Sequence, residues 1–187
     1  MTPLIATLIE EAGRVAGLEA AFVGAIVQVE SEGYPYAGNP EPRYRYLWDV
    51  RRNRPFRALT PEEIASEFPP DDWYDLRGWH GRDADAEWWW QQASIGLMQV
   101  MGAVAREEGF TAVSLLELCD PAANLTVGCR HLRRLVLWAD GNLEMAAAAY
   151  NAGRGGWDSA AGQAYAQKVL RAIAQMRLTG LPRGGDR

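Results

Sequence analysis

A length of 187 residues gives room for one domain, or a small domain carrying an elaboration, and excludes repeat arrays and multidomain machines. Apolar residues at 48% and charged residues at 23% are those of a globular chain able to bury a core, and no run approaches the roughly 18 apolar residues of a membrane span. The net charge of −5 sets 24 acids against 19 bases, 18 of them Arg beside the single Lys168, and argues against nucleic acid held by bulk electrostatics.

Thr2-Pro3 opens the first predicted helix, with a hydroxyl to cap free amides and a proline whose φ suits the first helical position. Leu4, Ile5, Leu8, Ile9, Ala12 and Val15 form its stripe, and Gly17 ends it. A second helix is predicted from about Ala20 to about Glu32, with Phe22, Val23, Ile26 and Val27 on one face and Gly33 as its stop. Helical spacing also fits about 96–108, 112–118, 121–138 behind Asp120-Pro121, 143–151 and 160–177. Strand-like alternation is almost absent, so the fold class is mainly α. Residues 1–177 read as one domain, and 178–187, with Gly180, Pro182, Gly184 and Gly185, as a flexible tail.

The middle differs in kind. Residues 34–93 carry six of the eight Trp and five of the seven Tyr without a sustained helical stripe. Six Arg fall between Arg43 and Arg57 and nine acids between Glu62 and Glu87, so pairing within the segment is expected, with acidic peptides or nucleic acid as the alternative partner of the Arg cluster. Thr60-Pro61-Glu62-Glu63 has the form of a capping box and predicts one short helix. Linkers lack aromatics, so the segment reads as an insertion packed on the helical core. Of Trp88, Trp89 and Trp90, consecutive positions that point three ways on a helix, at most one or two can face a ligand. Cys119 and Cys129 have no Cys or His companions at ligand spacing, so no metal site is predicted and free buried thiols are expected, with a disulfide as the alternative. His80 and His131 lack a Cys, Ser or acidic partner at a telling spacing and read as surface residues.

In the second helix Phe22, Ile26 and Glu30 fall at steps of four, so an apolar stripe ends in a carboxylate. A buried Glu loses hydration, and a Glu in the last helical turn meets the negative end of the macrodipole; both raise its pKa. Such a group suits general acid catalysis of acetal cleavage. The alternative is a Glu at the rim of the stripe that reaches into water.

Three segments in order bear on that choice: Glu30-Ser31 near a helix end, Ser94-Ile95-Gly96-Leu97-Met98-Gln99 opening a helix, and Ala147-Ala148-Ala149-Tyr150-Asn151-Ala152-Gly153 closing one. Together with Asp120-Pro121, Asn124, Gly128 and Leu132, and with Tyr165-Ala166-Gln167-Lys168-Val169, this order resembles the soluble lytic transglycosylases, lysozyme-like enzymes that cut bacterial wall glycan. The resemblance covers about 20–34 and 93–172 and omits the aromatic middle. In physical terms Gly96 offers close backbone approach to a sugar, Met98 an apolar contact, and Gln99 an amide able to orient an acetamido group. Core packing is the competing reading for Leu97 and Met98.

The resemblance implies a lysozyme-like helical domain with Glu30 as the one catalytic acid and base, and with Ser31, Ser94, Gly96, Met98, Gln99, Tyr150 and Asn151 around the substrate. It implies cleavage of the MurNAc-β-1,4-GlcNAc bond of peptidoglycan to 1,6-anhydro-MurNAc ends, without metal or cofactor. The 64 residues between Ser31 and Gly96 exceed what compact members of that family place there, so the segment walls the glycan groove or binds something else. Asp49, Asp71, Asp72, Asp75, Asp83 and Asp85 are candidates for a second carboxylate, which would make a murein hydrolase resembling goose-type lysozymes. A non-catalytic wall-binding or tail module on the same fold is the reading from another class. The N-terminus, with Glu10 and Glu11, shows no export signal. For a substrate in the cell wall, that points to a phage-encoded protein released by a holin-type partner or carried in a phage tail.

Overall fold

The computed structural model describes residues 1–41, 44–74 and 83–182. Its first helix, α1 (Pro3–Ala16), starts where Thr2 Oγ1 accepts the Ile5 amide and stops at Gly17, whose φ of 65° lets its amide turn back to the Gly13 and Arg14 carbonyls. Helix α2 (Ala20–Ser31) is buried along most of its length, which places it in the middle of the molecule rather than on its surface. The aromatic segment then contributes β1 (Gly38–Pro40), the paired β2 (Trp48–Asp49) and β3 (Arg54–Pro55), α3 (Pro61–Ala65) and α4 (Asp71–Tyr74). Both halves of the Thr60–Glu63 capping box are formed.

Three stretches depart from the periodicity. Helix α5 (Ala84–Gln91), started by Asp83 Oδ1 on the Ala86 amide, has no sequence stripe because its Trp residues go separate ways: Trp88 buried, Trp90 half-buried and Trp89 exposed. The stretch expected to be helical from about residue 96 is a tight hairpin of β4 (Ala93–Ile95) and β5 (Val100–Met101), with β1 on the outer side of β4. Its turn needs left-handed backbone at Gly96 (φ 78°) and Gln99 (φ 45°), which no helix tolerates. Only then does α6 (Gly102–Glu107) begin, followed by a 3₁₀ turn at Leu115–Cys119 in place of the helix expected at 112–118.

Asp120 caps α7 (Pro121–Trp138), Asn142 caps α8 (Leu143–Ala152), and Ser159 caps α9 (Ala160–Thr179), each side-chain oxygen accepting a first-turn amide. Helix α9 packs against α2 and α8, and α1 against α7. Ala146 to Ala149 are fully buried, and their small side chains let α8 approach its neighbours closely. Asn124 on α7 locks the hairpin turn: it donates to the Ile95 and Leu118 carbonyls and accepts the Met98 amide at 2.8 Å. A Cβ at Gly96 would run into that amide and into the Leu118 carbonyl. Gly128 in the same way leaves the space that Met98 fills.

A second, smaller core gathers Leu47, Trp73 and Trp88, with Phe56 and Trp88 edge-on to Trp73 at 5.1 and 5.2 Å and Trp73 Nε1 donating to the Ala84 carbonyl. It is joined to the helical body by a buried ion pair, Glu87 on α5 with Arg106 on α6. Arg57 pairs with Glu63 and Asp72, and Arg51 and Arg52 with Asp49, so these members of the Arg cluster meet acids of their own segment; Arg43 lies outside the described residues. Of the tail expected from residue 178, α9 takes in Leu178 and Thr179 and Leu181 packs over Gly24, while 183–187 lie outside the described residues. Cys119 is half-buried, Cys129 buried, and both thiols are free. Among the described residues no helix is long and apolar enough to cross a membrane.

Candidate active site

Phe22 and Ile26 lie in the core, and one turn on, at the end of the same stripe, the Glu30 side chain is half-buried. The helix stops directly behind it, because Glu32 (φ 54°) and Gly33 (φ 85°) turn left-handed. Ser31 Oγ donates to the Leu97 carbonyl at 2.7 Å, pinning this helix end to the hairpin turn. Burial pushes the Glu30 pKa up, and a hydrogen bond from the Tyr165 hydroxyl to Glu30 Oε1, at 2.5 Å, opposes part of that rise. Among the described residues no second carboxylate contributes to the shift.

Tyr165 is the residue that sequence reasoning left without a role. It sits 135 positions from Glu30, buried on α9, and only the packing of α9 on α2 brings the two together. Tyr165→Phe removes the bond that stabilises the Glu30 anion and leaves burial unopposed. Glu30 is therefore expected to titrate higher in the variant than in the native protein, as read by carbon NMR of its carboxyl; an unchanged or lower value contradicts this assignment.

Tyr150, at the end of α8, donates to the Met98 carbonyl at 2.7 Å, and burial first, then the charge of Glu30, raises its pKa. Glu30, Tyr165, Tyr150 and the hairpin turn thus converge from four elements. Beside them a cavity of about 210 Å³ opens, with Tyr44, Gln99, His131, Tyr150, Asn151 and Arg154 on its wall.

Other predicted site residues have different work. Met98 is wholly buried against Gly128, so its side chain offers no sugar contact. Gly96 is buried too, and its missing Cβ makes room for Asn124 rather than for a ligand. Gln99 reaches the cavity wall, yet its amide closes the hairpin by donating to the Ala37 and Gly96 carbonyls and accepting from Ser94 Oγ. Both of its amide hydrogens are thereby spent. Ser94 Oγ donates to Gln99 Oε1 and to the Asn39 carbonyl. Asn151 is exposed at the cavity rim.

His131 also departs from expectation: it is half-buried, 3.1 Å from Glu108 and 5.6 Å from the Tyr150 ring. Its acid is the residue that ends α6, across the fold, where sequence spacing gives no sign of it. His80 and Asp75 lie outside the described residues. Of the remaining candidates for a second carboxylate, Asp49 and Asp72 hold arginines, Asp83 caps α5, and Asp85 accepts from Tyr74; Asp71 is exposed at the start of α4.

No curated protein matches the chain. A solved structure of an inactive mutant of the lytic transglycosylase Slt from Pseudomonas aeruginosa, made by exchanging one Glu for Gln, matches with a TM-score of 0.58 at 18% identity. That match covers 93% of this chain and 24% of the other, so the chain spans about a quarter of that protein's length. The family model for the transglycosylase SLT domain matches residues 7–172, from within α1 to within α9. That span takes in Glu30, the hairpin, Tyr150 and Tyr165, and the chain belongs to the transglycosylase SLT domain family.

Proposed function

We propose that the chain is a murein lytic transglycosylase with Glu30 as both acid and base. The observation that supports this most is the sheltered Glu30 carboxyl at the end of α2, with its pKa raised, one oxygen fixed by Tyr165, and Tyr150 beside it. A glycan strand laid past Tyr150 and Asn151 presents the bridging oxygen of a MurNAc-β-1,4-GlcNAc bond to the Glu30 proton. As that bond breaks, the muramyl acetamido oxygen supports the charge at C1. The Glu30 carboxylate then takes the proton of the muramyl C6 hydroxyl, whose oxygen closes on C1 to give the 1,6-anhydro end and restore the acid.

In this reading Ser31, Ser94, Gly96, Met98 and Gln99 shape the site from behind, while Tyr150 and Asn151 meet the sugar. The described part of residues 34–93 forms one wall of the groove. Exposed Tyr34 and Tyr36, edge-on to each other at 5.8 Å just beyond the Glu30 helix, support that role, since their rings are open for stacking on sugar faces.

Mass spectrometry of digested peptidoglycan tests the reaction. Anhydro-muramyl ends are expected from the native chain. Reducing ends heavier by one water would make it a hydrolase, and undigested glycan would make it a binding module.

A further inference from the structure

The cavity beside Tyr150 has a charge pattern that the cleavage chemistry does not use. Among the described residues no Asp or Glu lines it, although the chain is acidic overall. The cations around it differ in their partners. His131 meets Glu108, and Arg134 is held by Glu107 and Glu108. Arg154 is exposed on the rim with no carboxylate partner among the described residues; its guanidinium lies over the Trp138 ring, 5.7 Å from the centroid. Stacking limits the orientations of the guanidinium, so less freedom is lost when an anion binds. Asn151, three residues before it, adds an amide donor on the same wall.

Resting on the proposed glycan-cleaving role, we infer that Arg154 and Asn151 form a receptor for a carboxylate carried on the muramyl O3 substituent of the strand. A planar guanidinium matches the two oxygens of a carboxylate, with the Asn151 amide on the same cavity as a further donor, and the neutral hydroxyls of a plain sugar give it no charge to meet. Because the cavity adjoins Tyr150, which feels the Glu30 charge, a substituent held there fixes which sugar lies at the acid. The site selects muramyl-containing glycan over neutral N-acetylglucosamine polymer.

Two carboxylates share this chemistry: those of the stem peptide, and the lactyl group exposed when the peptide is removed. The test measures binding in the Glu30→Gln background, where glycan is not consumed. The probes are soluble peptide-bearing strands, the same strands stripped by an amidase, and a β-1,4-linked N-acetylglucosamine hexamer.

Adding Arg154→Ala is expected to raise Kd about tenfold for carboxylate-bearing strands, and so to erase their advantage over the hexamer, while Arg154→Lys restores part of it. A loss on peptide-bearing strands alone assigns the peptide carboxylates, a loss on stripped strands alone the lactyl group, and a loss on both a site that takes either. Unchanged Kd values on both kinds of strand overturn the inference, as does an equal rise on the hexamer, which would make Arg154 a prop of the cavity. Failure of the native chain to cleave, with the Kd differences intact, defeats the proposed activity and leaves this site standing.

Discussion

Glu30→Gln is expected to slow glycan cleavage by about 10³-fold while leaving the thermal unfolding of the chain unchanged. The amide keeps the shape of the carboxyl and can still accept the Tyr165 hydroxyl, so the packing of α2 on α9 persists. What it loses is a group that gives a proton to the leaving sugar as the acid and then, as the carboxylate, takes one from the C6 hydroxyl. Both steps fail together, which makes this the largest effect on activity that the site predicts. The pH profile follows from the same group. The first step of the proposed reaction needs Glu30 protonated, and burial raises its pKa, so activity is expected to fall as pH climbs through that raised value and not through the ordinary carboxylate range. Near-native cleavage by Glu30→Gln would remove Glu30 from the chemistry.

That carboxylate could be picked out of the sequence because a helix imposes a local rule: Phe22, Ile26 and Glu30 share a face whatever the rest of the fold does. Caps are local in the same way, so Thr2, Thr60 and Asp120 mark helix starts before any contact is known. The failures have equally specific causes. The apolar run around Leu97 and Met98 suits a helix or a buried turn equally well, and the deciding feature, left-handed backbone at Gln99, is uncommon for a residue other than Gly or Asn. Helix α5 is held by burying Trp88 and Glu87 against different partners, so its period is invisible in hydrophobicity. Tyr165 and the acid beside His131 come from elements far along the chain, and spacing carries no information about such pairs. The cavity wall at Tyr44 and Arg154 was missed for the same reason.

Removing the Glu87 carboxylate should cost the fold about 3–5 kcal/mol, because it leaves the Arg106 guanidinium uncompensated in the interior. The pair is bidentate, with Arg106 Nε on Glu87 Oε1 at 2.7 Å and Nη2 on Oε2 at 2.8 Å, and both side chains are at most 2% exposed. Gln91 donates to the same carboxylate, while Arg106 also donates to the Phe110 and Ala112 carbonyls. Glu87→Ala therefore strands several buried donors at once, whereas Arg106→Ala strands a buried anion and two carbonyls. Replacing both by apolar residues of similar volume should recover only part of the loss, since those carbonyls still lack a donor. Denaturant unfolding of the two single variants and the double variant measures these differences, and a sum of the single effects in the double would show that the pair is not coupled. The exposed pair of Arg14 and Glu11 is the internal control: it has similarly short contacts, but water and salt screen it, so Arg14→Ala should leave the unfolding midpoint where it was. The buried pair also bears on the site, because α5 leads directly into β4 and the hairpin turn that receives Ser31 and Tyr150. Below the unfolding transition, Glu87→Ala should loosen that turn first, visible as faster amide exchange at Met98 than in α8, where Ala146 to Ala149 stay packed.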